Sequence, residues 1–139
     1  MSGKDVKIYR IKFKNKDKML AALYAFLQRT DVENPEVTIF PEGAAGSQDL
    51  RLSFSRNGDY GRTLPDEQTW KALTSMSQLQ GIICVAGTDR TDTRRVSIQY
   101  GKDIVDDSSI ILSFPNAPEG RLNSVEKRIL GTFKEMSFS

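Results

Sequence analysis

Strict alternation of apolar and polar residues is the feature that most restricts how this chain can fold. In VKIYRIKFK (6–14), Tyr9, Ile11 and Phe13 fall on one side of an extended chain and Arg10, Lys12 and Lys14 on the other. LRLSFSR (50–56) sets Leu50, Leu52 and Phe54 against Arg51, Ser53 and Ser55. RRVSIQYG (94–101) sets Val96, Ile98 and Tyr100 against Arg95, Ser97 and Gln99. A strand that changes character at every step has one dry face and one wet face, as in a sheet covered on one side only.

The remaining stretches supply the cover. Met19, Leu20, Leu23, Phe26 and Leu27 recur at helical spacing, which predicts a helix capped by Asn15 or Asp17 and running to about Thr30. TLPDEQTWKALTSMSQLQ (63–80) reads as a second helix, with Pro65, Asp66 and Glu67 at its start and Trp70, Leu73, Met76 and Leu79 inward. Asn123 followed by Glu126 forms a capping box for a last helix that buries Val125, Ile129, Leu130, Phe133 and Met136. EVTIF (36–40) is a short strand after a return turn at Pro35, and SSIILSF (108–114) is a further strand ended by the prolines of PNAPEG. GIICVAG (81–87) is apolar on both faces and fits a central strand.

The first six elements follow the β-α-β-β-α-β order of a ferredoxin-like fold, extended by two strands and a C-terminal helix. The expected architecture is α+β: a two-layer sandwich in one domain over residues 1–139, with helices on one sheet face.

Composition excludes more than it assigns. There is no histidine, so neither Ser-His-Asp nor Cys-His catalysis is available, nor a histidine-ligated metal. Cys84 is the lone cysteine, which excludes an internal disulfide and thiolate clusters, and its apolar neighbours suggest an inert thiol. No cofactor or metal is expected. No apolar run reaches the ~20 residues that span a bilayer, and the charged N-terminus lacks the apolar core of a signal peptide. A soluble, cytoplasmic protein is the expectation.

The net charge of +2 is unevenly spread. Residues 1–18 hold seven bases and two acids, which makes the first strand a basic edge on a mildly acidic body.

TDRTDTRR (88–95) crowds polar residues into the tip of a hairpin. Side chains that bond nearby amides account for it without a ligand. Arg90, Arg94 and Arg95 offer a phosphate-binding alternative. Asp89 and Asp92 would gain Asp103, Asp106 and Asp107 as neighbours only if both loops met at one end of the sheet. Loops 41–49 and 57–62 match no nucleotide-binding fingerprint. Tyr60 and Arg62 are residue types enriched at interfaces.

The wet face of the strands would be open, polar and basic, with Arg10, Lys12, Lys14, Arg51 and Arg95 as nucleic-acid contacts. The strand aromatics fall on the other face, so bases would find no stacking platform. The favoured reading is a non-catalytic binding protein of the inhibitor, immunity or adaptor kind whose partner is another protein. Nucleic-acid binding is the alternative, followed by a histidine-independent enzyme or a phosphate or small-molecule binder using Asp and Arg.

Overall fold

The alternating stretches form strands and the periodic ones form helices. A computed structural model describes residues 4–41, 51–75, 79–91 and 93–139. Leu50, Met76, Asp92 and residues 42–49 lie outside the described residues. The order is β1 (Lys4–Lys12), α1 (Lys16–Leu27), β2 (Glu33–Pro41), β3 (Leu52–Ser55), α2 (Glu67–Thr74), β4 (Leu79–Gly87), β5 (Arg95–Gly101), β6 (Ser109–Pro118) and α3 (Ser124–Ser137).

The protein is α+β, with three helices on a six-stranded sheet ordered β1-β6-β5-β4-β2-β3. The element order is the expected one, but the pairing differs from a split β-α-β unit, in which β3 would lie between β1 and β2: here, among the described residues, β3 pairs with β2 alone and β1 with β6 alone. β5 and β6 are no edge extension. They stand between β1 and β4 and leave β1 and β3 at opposite edges. β4, β5 and β6 form a meander through local connections, and β1 then closes onto β6.

One side of the sheet is dry. Ile11, Val37, Ile39, Ile82, Cys84, Ala86, Val96, Ile98, Tyr100, Ile110, Leu112 and Phe114 are buried there with Met19, Leu20, Leu23, Phe26 and Leu27 of α1. Trp70 of α2 and Ile129 and Phe133 of α3 complete this core. The aromatics meet edge to face or tilted, as Tyr9 does on Phe114 and Phe26 on Phe133. Asn15 is the cap of α1, its side chain accepting from Lys18 N at 2.9 Å.

Several boundaries differ from the sequence reading. Asp66 caps α2 by accepting from Thr69 N at 2.7 Å, so Pro65 stands before the helix and not in its first turn. Leu79, read as helical, opens β4 and is buried. Pro35 lies inside β2, at a register shift beside Asn34 with φ 47°, and not at a turn. β6 runs on through Pro115 to Pro118, because its register against β1 shifts there and a bulge tolerates the missing donor. No helix among the described residues is long and apolar enough to cross a membrane.

Candidate binding surface

The second side of the sheet carries two rows of side chains. Pairing sets Arg10, Ile111, Gln99, Ile83, Thr38 and Ser53 side by side across all six strands. The next row is Ile8, Ser113, Ser97, Val85, Glu36 and Ser55. Among the described residues no helix packs on this side: Ile83, Val85, Ile111, Ser97 and Gln99 are only half-buried, and Ile8 is 62% exposed. The face is therefore open, as the alternation implies. It is also more aliphatic than a polar, basic reading allows. The two-sided apolarity of β4 reflects Ile83 and Val85 on this open face, and not a strand covered on both sides.

The charged residues of the face are partly spent on each other. Arg10 Nη2 donates to Asp106 Oδ2 at 2.9 Å and Lys12 Nζ to the same oxygen at 3.1 Å. The Ser109 hydroxyl, the Ser108 amide and these two cations hold the Asp106 carboxyl well below the usual carboxylate range. Lys14 lies past the end of β1 and Arg51 before β3, both exposed. Arg95 is half-buried on β5 opposite Gly87.

Tyr60 is 52% exposed, yet it turns back to the sheet and donates from its hydroxyl to Glu36 Oε1 at 2.9 Å. This bond and the charge of Glu36 push the phenol pKa up. Arg62 is exposed, and its carbonyl accepts from Ser55 N at 3.1 Å.

TDRTDTRR resolves into a lock rather than a cradle. Thr88 N donates to Arg94 O at 2.7 Å and closes the hairpin. Asp89 Oδ1 accepts from Thr93 N at 2.9 Å, and Asp89 Oδ2 from the Thr93 hydroxyl at 2.7 Å and the Thr91 hydroxyl at 3.1 Å. The Thr93 hydroxyl leads the interactions that lower the Asp89 pKa. Arg94 Nη2 donates to Glu126 Oε1 and, at 2.8 Å, to Arg121 O. Glu126 is 1% exposed, accepts from Thr88 Oγ1 at 2.8 Å and completes the capping box of α3. Sequence spacing revealed the box but not Arg94 as its partner, 32 residues away. Arg90 remains exposed at the tip.

The two acidic loops cannot combine. Among the described residues, Asp89 precedes β5 and residues 102–108 follow it, so they stand at opposite ends of the sheet. Among the described residues no three carboxylate or thiol side chains gather as metal ligands do.

A groove of about 640 Å³ separates α1 from α2, with Tyr24 and Trp70 in its wall. Trp70 Nε1 donates to Leu20 O at 3.1 Å and the Thr74 hydroxyl to Trp70 O at 2.7 Å, so these buried donors serve the fold. Compared with family models, curated proteins and solved structures, the chain finds no match.

Proposed function

We propose that this chain is a non-catalytic protein-binding domain of the inhibitor, immunity or adaptor kind, acting in the cytoplasm and docking its partner on the open sheet face. The observation that carries the reading is the position of Ile8, Ile83, Val85 and Ile111 on the side that no described helix covers. A sheet face meant only for water places polar residues at such positions, and these form two aliphatic pairs, Ile8 with Ile111 and Ile83 with Val85, separated by Ser97 and Gln99 of β5, a mixed apolar and polar surface that suits a protein partner. Arg10 and Lys12 stand beside Ile8 and Ile111 there, which favours a partner with aliphatic residues at its centre and carboxylates facing those cations.

A nucleic-acid partner has less support. The strand aromatics Tyr100 and Phe114 are buried under the helices, so this face offers bases no stacking platform. An enzyme using Asp and Arg has least, since the Asp89 oxygens and the Arg94 guanidinium are engaged within the protein.

The test is affinity capture from nuclease-treated lysate of the cells that make the protein, comparing wild type, Val85→Glu and Lys127→Glu. Lys127 is exposed on α3, on the helix side. Wild type and Lys127→Glu should retain one stoichiometric protein and Val85→Glu should lose it. Equal retention by all three would place the contact elsewhere.

A further inference from the structure

The two edges of the sheet are unlike. β3 has four residues, and its outer side is met where Ser55 N donates to Arg62 O at 3.1 Å and Ser55 bridges Thr63. β1 has nine residues, and no strand among the described residues pairs with its outer side.

The ladder phase shows which groups that side offers. Phe13 N donates to Ser108 O at 2.8 Å, one step beyond the Lys12–Ser109 pair. Closely and widely spaced pairs alternate in an antiparallel ladder. The backbones of Tyr9 and Ile11 therefore turn toward β6, while the N–H and C=O groups of Ile8, Arg10 and Lys12 turn outward.

The side chains beside those groups are selective. Val6 is 56% and Ile8 62% exposed, and Arg10 and Lys12 follow them on the open face. On the helix face Lys134 Nζ lies 5.7 Å from the Tyr9 ring, and Lys7 is paired with Phe114 two residues before Tyr9 on the same strand. Cations thus flank the edge on both faces, and Asp106 is the carboxylate that Arg10 and Lys12 share. Such a strand repels a second basic strand and attracts an acidic one.

We propose that β1 is a strand-addition site for an extended acidic segment of another protein, a proposal that rests on the protein-binding reading above. The incoming backbone pairs with Ile8, Arg10 and Lys12. Charge complementarity sets its sequence: acidic residues opposite Lys12 and Arg10, and an aliphatic one opposite Ile8.

The probe is a labelled, end-capped peptide Thr-Glu-Thr-Glu-Thr-Val-Thr, whose two glutamates and valine share one face of a strand, titrated into the full chain by fluorescence polarisation, with a control peptide in which lysine replaces both glutamates. The acidic peptide should bind and the basic one should not. Arg10→Gln with Lys12→Gln should weaken binding roughly tenfold. Ile8→Pro removes an outward N–H that the ladder to β6 does not use, which an edge strand tolerates, and it should weaken binding by a similar factor. Equal binding to Ile8→Pro would reduce the contact to charge alone and overturn strand addition. Hydrogen exchange on the wild-type complex makes the test independent of that variant's folding. Protection of the Ile8, Arg10 and Lys12 amides supports the proposal, and unchanged exchange overturns it. If no peptide binds while Val85→Glu still releases the cellular partner, strand addition fails and the open-face reading stands.

Discussion

Arg94→Met isolates the contact that ties the β4–β5 hairpin to α3. The substitution keeps an apolar stem and deletes the guanidinium. Glu126, 1% exposed at its side chain, then loses its cation, whereas Arg94 is itself 19% exposed. A buried charge stripped of its partner costs about 3–5 kcal/mol. Glu126 still accepts from Thr88 Oγ1 at 2.8 Å and Asn123 N at 2.9 Å. Those bonds place the loss near the low end, about 3 kcal/mol. For a chain of this size that lowers the melting temperature by about 10 °C. Urea unfolding followed by circular dichroism reads the change. Glu126→Gln removes the buried charge itself, so adding it to Arg94→Met should cost much less than the sum of the two single variants. A loss below about 1 kcal/mol for Arg94→Met, or simple additivity, would show that the pair does not hold α3 in place.

Three further outcomes follow from the packing. Asp31 has its pKa lowered, first by its hydrogen bond from Arg29, and Arg128 also lies 3.5 Å away. Its folded pKa is below its unfolded one, so its stabilisation is complete at neutral pH and fades as pH falls below about 4; Asp31→Asn should flatten the stability profile there while lowering stability at pH 7. Burial pushes the Cys84 thiol pKa up, so a thiol reagent should leave the native protein unlabelled and react only after denaturation. A Cβ at Gly81 would lie 2.9 Å from Tyr100 O, a backbone atom that cannot swing aside, and Gly81→Ala should cost about 1–3 kcal/mol in urea unfolding.

Local patterns were legible and distant partners were not. The alternation in β1, β3 and β5 identified the dry face, because side-chain direction in a strand depends only on the residue's parity. The helical stripe of α1 and the Asn123–Glu126 box were readable for the same reason: each repeats within a turn. Strand order was not, since β1 pairs with β6 about a hundred residues later, and nothing in either strand names the other. Pro35 and Pro115 misled because a proline ends a strand only where the ladder needs its N–H, and bulges remove that need. Arg10 and Lys12 read as available cations until Asp106, 96 residues from Arg10, came beside them. Ile83, Val85 and Ile111 were visible as apolar residues, but their presence on the uncovered face emerged only with the pairing.

The most direct check on the open-face account is photo-crosslinking from inside the cell. Benzoylphenylalanine placed at Ile83, and separately at Lys127, reports what touches each side. A discrete protein adduct from position 83 and none from 127 is the expected pattern. Adducts from 127 alone, or none from 83, would mean that the sheet face is not where this protein meets its partner.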